Sequence, residues 1–347
     1  MAKGKRVFVG LSGGVDSAVS AALLKKEGYD VVGLFVSIVL EGYPCSALED
    51  RREALRVAAH LDIPFQEIDL SEEYRKRVFE VTLEDYQRGE TPNPDALCNR
   101  EIKFGLMYQY ARAQGADFLA TGHYARTHLL HGEAHLLSGK DEEKDQSYFL
   151  WMLGQEELSH ALFPVGSMHK SEVRALAHNL GLPNAARKDS QGLCFLGPLS
   201  MEDVLSRELS PQQGAVLDEY GSVIGTHRGA LLYTIGQRHG FEISARSSHE
   251  VPHYVIEKDV LHNTLTVSTE RGASGQGEIV LHQNNWIGNF EDGVCEARFR
   301  YRQPLIGATL RREKHKTGVT VDTGSALPRG QSLVLYRGER CLGGGVI

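Results

Sequence analysis

The sequence lacks any long hydrophobic run. No window of its 347 residues approaches the roughly 18 uncharged apolar residues that a membrane-spanning helix needs, which excludes an integral membrane protein. The first six residues, Met1 to Arg6, lead directly into a strand-like segment without a long apolar region, so we expect no secretory signal. Net positive charge is also absent. The formal net charge is -7, so any surface that binds nucleic acid must be local.

Cysteine is scarce, and the five cysteines are scattered. They lie at positions 45, 98, 194, 295 and 341, and no two form a Cys-x-x-Cys pair, which argues against a structural zinc site. An odd number of widely separated cysteines in a long chain argues against a disulfide framework and for a reducing compartment. We therefore expect a cytoplasmic protein with two to three domains, at about 150 residues per domain.

The first two hundred residues alternate between apolar strands and stretches of helical periodicity. The predicted strands are 6–11, 31–36, 64–70 and 117–121, and the predicted helices are 17–27, 47–61, 71–87 and 99–114. Repeated βα units predict a doubly wound parallel sheet, with ligand sites outside the carboxyl ends of its strands. We expect this α/β domain to span residues 1–198.

The second half of the chain changes to short β-branched segments separated by Gly, Asn and Asp. The predicted strands are 215–218, 254–258, 264–268, 278–282, 296–301, 318–322 and 332–336. Such spacing predicts small antiparallel sheets or barrels. Residues 272–277, which are glycine-rich, form the clearest linker and divide this half in two. We expect a small β-rich central domain at 199–270 and a C-terminal β-barrel at 271–347.

A glycine-rich turn, Ser12-Gly13-Gly14-Val15-Asp16-Ser17, separates the first strand from the first helix. Its small residues let backbone N–H groups turn inward, and the helix N-terminus adds partial positive charge, so a phosphate chain fits there. Ser12 and Ser17 can donate hydrogen bonds, and Asp16 is placed to help hold Mg²⁺ against the phosphates. The turn has no Lys-Ser/Thr ending, so it is not a Walker-type loop. The alternative is a βα turn that serves only tight packing.

Cys98 follows a loop that contains two prolines and precedes the helix predicted at 99–114. A cysteine near a helix N-terminus, with Arg100 and Lys103 close by, is expected to have a lowered thiol pKa. Asp95 lies three residues earlier, near enough to donate or accept a proton in the same site.

Cys194 lies in a second polar segment, a glycine-containing turn with Arg187 and Lys188 upstream. For a lone cysteine the alternative is a buried, inert thiol. We favour reactive thiols for Cys98 and Cys194 because both lie in polar, turn-rich segments, and we keep the inert interpretation for the other three.

The segment from Gly10 to Ser17 resembles the pyrophosphatase loop of adenylating α/β enzymes, which cleave ATP to AMP and pyrophosphate. With seven further segments in the same order, essentially the whole chain resembles the bacterial-type tRNA-specific 2-thiouridylases. These segments are Asn93-Pro94-Asp95 with Cys98, Thr121 to Tyr124, Lys144 to Phe149, Lys188-Asp189-Ser190 with Gly192 and Cys194, Tyr233 to Arg238, Arg300 to Gln303, and Cys341 to Gly345. Val36 departs from the family, which more often has Met there.

The resemblance implies an adenine-nucleotide α-hydrolase-like fold and an ATP-dependent tRNA sulfurtransferase. Such an enzyme adenylates the C2 oxygen of the wobble uridine and replaces it with sulfur from a cysteine persulfide. The products are 2-thiouridine, AMP and pyrophosphate. The implied cofactors are ATP and Mg²⁺. The implied partners are the tRNAs for Lys, Glu and Gln and a persulfide donor, which is a cysteine desulfurase or a sulfur-relay protein.

The resemblance also implies roles for individual residues. Cys194 would carry the persulfide, Cys98 would be the partner nucleophile, and the two would form a transient disulfide, with Asp95 as the acid/base. The implied ATP-binding residues are Gly10, Leu11, Ser12, Gly13, Gly14, Val15, Asp16, Ser17, Val36 and Gly122. The implied target-base residues are Asn93, Pro94 and Asp95, and the implied tRNA contacts are His123, Lys144, Asp145, Gln146, Arg300, Tyr301 and Gln331.

The residues themselves support a local RNA surface. Between positions 297 and 316 there are seven Arg or Lys and one acidic residue. Arg298, Arg300 and Arg302 alternate, so on a strand they would share one face suited to phosphates; the alternative is an ordinary solvated face. His123 follows a buried strand and serves either the site or packing. The acidic stretch 141–145, by itself, is typical of an exposed loop.

Two other functions remain open at this level. One is an amidating or ligating adenylation enzyme of the same fold, which needs no cysteine pair. The other is a non-catalytic tRNA-binding protein, against which the intact loop and both cysteines argue.

Overall fold

The structure is a computed structural model of the chain. It describes residues 4–44, 47–189, 194–195, 197, 199–244, 251–270, 278–314, 316–321 and 327–347. The predicted linker at 272–277 lies outside the described residues, as do Cys45, Ser190 and Gly192. Within the described ranges, no helix is long and apolar enough to cross a membrane.

A five-stranded sheet forms the N-terminal part of the chain. Its strands are β1 (Arg6–Gly10), β2 (Asp30–Ser37), β3 (Phe65–Asp69), β4 (Phe118–Ala120) and β7 (Ala161–Leu162). Their order is β3-β2-β1-β4-β7, and every neighbouring pair is parallel. The predicted doubly wound parallel sheet is thus confirmed. The order reverses between β1 and β4, where such sheets bind their ligands.

The interior residues of the central strands, 7–9 in β1 and 31–36 in β2, are buried because helices cover both faces of the sheet. Phe8 and Leu34 belong to one buried cluster, whereas Val7, Val9 and Phe35 belong to the cluster on the opposite face. The helices are α1 (Val15–Lys26), α2 (Ala47–His60), α3 (Ser71–Tyr74), α4 (Glu80–Gln87), α5 (Pro94–Cys98), α6 (Tyr108–Ala113), α7 (Gln155–Ser159), α8 (Lys170–Asn179) and α9 (Met201–Leu209). Short 3₁₀ turns cover Ser147–Phe149 and Ala230–Leu232.

Two helices contain π-helical segments. Arg75–Phe79 joins α3 to α4, and Asn99–Met107 joins α5 to α6. The prediction that a helix begins at Asn99 and runs to residue 114 is wrong at its start, because α5 already begins at Pro94. The Asn93 side chain caps it by accepting a hydrogen bond of 3.2 Å from the Ala96 N–H, and proline suits the first helical turn. Cys98 therefore lies inside the helix and not before it.

The second half of the chain forms β-structure, as predicted. The central sheet contains β8 (Gly214–Leu217), β9 (Val223–His227), β10 (Phe241–Ile243), β11 (Tyr254–Asp259) and β12 (Thr264–Ser268), in the order β10-β9-β8-β12-β11. The strand predicted at 264–268 is confirmed at both ends. One pairing, between β8 and β12, is parallel, so this sheet is mixed.

The C-terminal strands close into the predicted barrel. They are β13 (Glu278–Trp286), β14 (Gly293–Arg298), β15 (Ile306–Glu313), β16 (Lys316–Val321), β17 (Ser332–Arg337) and β18 (Arg340–Val346). Their order is β13-β16-β15-β14-β17-β18, and β13 also pairs with β18, which closes the ring of six.

A hairpin from the N-terminal part extends this barrel sheet. Its strands are β5 (Ala125–Leu130) and β6 (Glu133–Ser138), and β6 pairs antiparallel with β18. The sequence analysis did not predict this hairpin. It ties the barrel directly to the segment that follows β4.

Candidate active site

One large cavity opens at the carboxyl ends of β1 and β4, the point where the strand order reverses. Its volume is about 880 Å³, and it is open to solvent on one side. It is lined by residues from the glycine-rich loop, the β4 end, the helix after Cys98 and the barrel, including Ser12, Gly122, Lys103 and Tyr301. Doubly wound sheets hold their ligands in this position.

The loop between β1 and α1 has the tight backbone that its sequence predicts. Gly13 has a φ of +78°, and a Cβ there would lie 2.6 Å from the Asp50 carbonyl oxygen. The Ser17 hydroxyl donates to the Gly14 carbonyl at 3.1 Å and accepts from the Ser12 N–H at 3.3 Å. These contacts fix the turn at the start of α1, where the partial positive charge of the helix faces the cavity.

Two side chains from a distant part of the sequence hydrogen-bond the loop backbone at Gly13. Asn184 donates to the Gly13 carbonyl at 2.8 Å, and Arg187 donates to the same oxygen at 3.1 Å. Arg187 also pairs with Asp50 at 2.5 Å. The loop therefore does not rest on local sequence alone.

An ion-pair network lies beside the loop. Lys170, at the start of α8, contacts both Asp16 oxygens at 2.7 and 2.8 Å and Asp189 at 2.9 Å. Tyr124 donates to Asp16 at 2.9 Å, and Lys144 contacts Asp189 at 3.1 Å. Although burial opposes it, the hydrogen bonds from Lys170 and Lys144 lower the pKa of Asp189 to about 2. This end of the cavity carries fixed charges of both signs.

The two cysteines singled out from the sequence meet beside this cavity: Cys194 lines its wall, and Cys98 lies buried behind it. The Cys98 and Cys194 sulfurs are 3.3 Å apart, too far for a bond of about 2.05 Å but close enough for a thiol hydrogen bond. Both are free thiols, as are Cys295 and Cys341, and Cys98 is fully buried. Residues 96 positions apart in the sequence therefore form one thiol pair.

The prediction of a lowered Cys98 pKa is wrong. Burial raises the pKa of the Cys98 thiol well above its usual range, and the hydrogen bond to Cys194 raises it further. Arg100 is exposed and pairs with Glu101 at 2.8 Å, so its charge is directed to the surface. Cys98 lies inside the helix and is fully desolvated, so no helix N-terminus offsets the cost of ionising it.

Cys194 has the opposite tendency. The hydrogen bond that it accepts from Cys98 lowers the pKa of Cys194 in spite of burial, and the Lys103 ammonium lowers it further. Cys194 is thus the more readily ionised thiol of the pair, and Cys98 is the hydrogen-bond donor.

Asp95 and His123 complete the surroundings of the thiols. Burial raises the pKa of the Asp95 carboxyl, although Lys103 and the Cys194 N–H oppose this. His123 is 8% exposed, and its Nδ1 lies 2.8 Å from the Thr121 hydroxyl. Burial and the Lys103 charge lower the pKa of His123 well below its usual range, so the ring is neutral. His123 both packs in the interior and lines the cavity.

The other predicted site residues divide into two groups. Among the implied ATP and base residues, all of 10–17 except Gly13, together with Val36, Asp95 and Gly122, line the large cavity. Asn93 caps α5 and donates to the Ser332 hydroxyl at 3.2 Å, and Pro94 lines a small pocket behind Asp95.

The implied tRNA residues are placed unevenly. His123, Lys144, Gln146 and Tyr301 line the cavity. Asp145, Arg300 and Gln331 are engaged with protein. Asp145 is buried and pairs with Arg298 at 3.1 Å, Arg300 donates to the Ile235 carbonyl at 2.8 Å, and Gln331 accepts from Tyr148 at 3.0 Å.

The prediction that Arg298, Arg300 and Arg302 share one strand face is wrong. Strand β14 ends at Arg298, whose side chain turns inward to Asp145. The chain then turns, with the Phe299 N–H donating to the Gln303 side chain at 3.1 Å and Arg302 at a φ of +61°. The three arginines therefore point to different partners.

Two aromatic residues, Phe149 and Tyr301, line the cavity. The Tyr301 and Phe149 rings lie 4.7 Å apart, and the Arg302 guanidinium lies 5.1 Å from the Tyr301 ring centroid. Asn99, next to Cys98, donates to the Phe149 carbonyl at 3.0 Å. Within the described residues, its Oδ1 is buried and accepts no hydrogen bond.

Sequence reasoning missed Lys170, Tyr124 and Asn184. Lys170 begins a helix and has no motif around it, and its approach to Asp16 depends on α8 packing against α1. Tyr124 belongs to a quoted segment but received no role. No signal in the sequence identifies Asn184.

A parallel sheet with a glycine-rich loop at its switch point, and a thiol pair of which Cys194 lines the same cavity, places the chain in the doubly wound α/β class. Residues 5–198 match the family described as tRNA methyl transferase HUP domain. Residues 202–269 match a tRNA methyl transferase PRC-barrel domain, and residues 276–347 match an aminomethyltransferase beta-barrel domain.

Full-length relatives give a more specific result. The chain is 43% identical to the tRNA-specific 2-thiouridylase of Nitrosomonas eutropha, over 99% of this chain and 98% of that one. It is 42% identical to the corresponding proteins of Geobacillus kaustophilus, over 99% and 94%, and of Streptococcus thermophilus, over 99% and 95%. The chain belongs to the tRNA-specific 2-thiouridylase family.

Proposed function

We propose that the protein is an ATP-dependent tRNA sulfurtransferase that converts the wobble uridine of tRNA to 2-thiouridine, with release of AMP and pyrophosphate. The observation that carries this proposal is a single cavity that joins the glycine-rich loop to Cys194, whose sulfur lies 3.3 Å from that of the buried Cys98. Activation of an oxygen by ATP and its replacement by sulfur need these two ends in one space. The family relationship supports the same reaction.

The first step takes place at the loop end. ATP lies on residues 10–17, with its adenosine beside Val36 and Gly122 on the cavity wall. The uracil O2 attacks the α-phosphorus, the bond to the β-phosphate oxygen breaks, and pyrophosphate leaves. The cavity-facing ammonium groups of Lys170 and Lys144 and the α1 N-terminus stabilise the developing negative charge.

Mg²⁺ belongs to this proposal as the ion that accompanies the phosphates. It usually takes one or two carboxylates together with phosphate oxygens, and Asp16 offers such a carboxylate on the cavity wall. Its present partners are Lys170 and Tyr124. When bound, the ion neutralises phosphate charge, and Lys170 can pair with phosphate oxygens.

The second step takes place at the thiol end. A donor loads Cys194 with one sulfur as a persulfide. In one route the terminal sulfur attacks C2 and AMP leaves with the former O2; Cys98 then attacks the Cys194 sulfur and releases thiouridine. In the other route Cys98 attacks the Cys194 sulfur first and frees hydrosulfide, which then attacks C2 and displaces AMP. Both routes reduce the persulfide sulfur by two electrons and oxidise the thiols to a Cys98–Cys194 disulfide, which an external dithiol must reduce.

Asp95 is the acid/base of this proposal. Its carboxyl lines the cavity together with Cys194, and burial raises its pKa, which favours a role as a proton donor. Asn93, Pro94 and Asp95 bind the target base, which leaves the anticodon stack to reach them. The tRNA contacts at His123, Lys144, Asp145, Gln146, Arg300, Tyr301 and Gln331 stay predictions.

The remaining features of the proposal concern context. The substrates are the tRNAs for Lys, Glu and Gln, and the sulfur comes from a cysteine desulfurase or a relay protein. The cytoplasm stays the predicted compartment. The domain limits at residues 198 and 270 also stay predictions.

The test is nucleoside mass spectrometry of unmodified tRNA after incubation with the protein, Mg-ATP and a persulfide donor, with Cys194→Ser in parallel. We expect 2-thiouridine with the wild type and none with the variant. ATP consumption that depends on another added substrate, without any thiolated nucleoside, would instead identify an adenylating ligase. Absence of any tRNA-dependent pyrophosphate release would identify a tRNA-binding protein.

A further inference from the structure

The helix that carries Cys98 changes its pitch directly after the cysteine. Residues Asn99–Met107 have π-helical hydrogen bonding, in which an N–H bonds to the carbonyl five residues earlier. Three residues spaced four apart in this segment, Asn99, Lys103 and Met107, all line the large cavity. The π-helical segment thus presents a lysine to the same cavity as Cys194. Such segments often occur at functional sites.

Lys103 lies at the thiol end of the cavity and not in the ion-pair network beside the loop. Its Nζ is 5.8 Å from the centre of the Phe195 ring, the residue after Cys194, and it hydrogen-bonds the Cys194 sulfur. Asp95 and Cys98 are its other charged or ionisable neighbours. Of the two thiols near this cation, Cys194 has the lowered pKa and Cys98 the raised one, so Cys194 is the thiol that the ammonium stabilises as an anion.

We propose that Lys103 is the counter-ion that holds the Cys194 sulfur as an anion, first as the thiolate that accepts sulfur and then as the persulfide. This inference rests on the proposed function, and it assigns the roles of the two thiols. The thiol beside the ammonium is the sulfur carrier, and Cys98 keeps its proton until it is needed. The proton that Cys194 loses passes to water in the open cavity.

The groups that face Cys194 determine the balance. Cys98 and Lys103 favour the thiolate, whereas burial and the negative charge of Asp95 oppose it. Tyr74 donates to the Cys194 backbone carbonyl at 2.9 Å, and burial raises its pKa, so it stays neutral. His123 is neutral as well. Among the described groups that face this sulfur, Lys103 supplies the positive charge. Its removal should therefore have the largest effect on the ionisation of Cys194.

The experiment follows the alkylation of Cys194 by iodoacetamide as a function of pH, with the Cys194 peptide quantified by mass spectrometry. The variants are Lys103→Met, which removes the charge, Lys103→Arg, which keeps it, and Lys76→Met as the matched control. Lys76 lies in the other π-helical segment, is exposed and pairs with Glu72. Thermal unfolding verifies that each variant folds, and Lys103→Gln replaces Lys103→Met if that variant does not.

We expect Lys103→Met to raise the pH of half-maximal alkylation by about one unit or more, because the charge that favours the thiolate is gone. Lys103→Arg should keep most of the effect, and Lys76→Met should leave the midpoint unchanged. Formation of 2-thiouridine by Lys103→Met should fall about tenfold or more at pH 7, while tRNA-dependent pyrophosphate release persists.

If the alkylation midpoint is unchanged in Lys103→Met and the wild-type protein forms 2-thiouridine, the inference is overturned and the proposed function stands. The alkylation measurement needs neither ATP nor tRNA. If the midpoint shifts in Lys103→Met but the wild-type protein makes no 2-thiouridine, the role of Lys103 is supported and the proposed function is refuted.

Discussion

The two ends of the cavity differ in the kind of charged group that they contain. At the loop end, cations already have carboxylate partners: Lys170 lies between Asp16 and Asp189, and Arg187 pairs with Asp50. At the thiol end, Lys103 faces groups whose charge depends on burial and hydrogen bonding. The loop end is thus charged at any physiological pH, whereas the thiol end can switch its charge.

This difference matches the two steps of the proposed reaction. Triphosphate is a permanent anion, so its binding site gains from preformed N–H groups and fixed cations. Sulfur must be accepted, held and released, so its site needs one thiol that ionises and one that stays protonated. The two ends should therefore fail separately when they are mutated.

The largest expected effect is at the thiol end. Cys98→Ser and Cys194→Ser should each lower 2-thiouridine formation by about a thousandfold or more, because neither serine can form the disulfide that drives sulfur release. ATP binding should remain nearly unchanged, since neither sulfur belongs to the loop. Nucleoside mass spectrometry and equilibrium ATP binding measure the two quantities.

The matched control for the cysteine variants is Cys295→Ala. Cys295 is buried in the barrel core, where burial raises its pKa, and we expect thiolation to persist. Loss of ATP binding in either serine variant would mean that the thiol pair is structural, and would remove the distinction between the two ends.

The next effect is at the loop end. Lys170→Met should weaken ATP binding by roughly 10- to 100-fold, because Asp16 and Asp189 would be left without the cation that separates them from the phosphates. The alkylation midpoint of Cys194 should not move. The control is Lys140→Met, an exposed lysine that pairs with Glu172 on the same helix as Lys170. Equal loss in both variants would contradict a specific role for Lys170.

The smallest effect concerns stability. The folded-state pKa of Asp189 is about 2, below the ordinary value of 3.8, so its ion pairs stabilise the folded protein above pH 3.8 and lose this contribution as pH falls toward 2. Since about a third of the side chain is exposed, solvent screens the pairs, and Asp189→Asn should cost about 1 kcal/mol at pH 7. Urea unfolding at pH 7 and at pH 3 should show that the difference shrinks; a constant difference would refute the assignment.

The same contrast explains what could be predicted from the sequence. The glycine-rich loop could be recognised locally, from a strand, two glycines and a helix, although the distant Asn184 and Arg187 also support it. The sheet around it was predicted from alternating apolar and helical segments. The pairing of Cys98 with Cys194 was predicted only from the family resemblance, and the sign of the Cys98 pKa shift was predicted wrongly. That sign depends on complete burial by elements distant in sequence, which no local pattern reports.

Other features depend on long-range packing as well. The hairpin of β5 and β6 pairs with β18, about two hundred residues later, and the strand at Arg298 ends where its guanidinium finds a buried carboxylate. The positions of Lys170 and Asn184 around the loop result from α8 and the chain after it packing on α1. Charge and spacing cannot identify such partners, because any of the many lysines is equally suitable by composition.

The central claim is that one cavity couples ATP-driven activation to oxidation of the thiol pair. The most direct measurement is a single turnover without reductant, with persulfide-loaded protein, tRNA and Mg-ATP, followed by non-reducing peptide mass spectrometry and nucleoside analysis of the same sample. The account predicts one Cys98–Cys194 disulfide for each 2-thiouridine formed. Formation of 2-thiouridine with both thiols still free would contradict it.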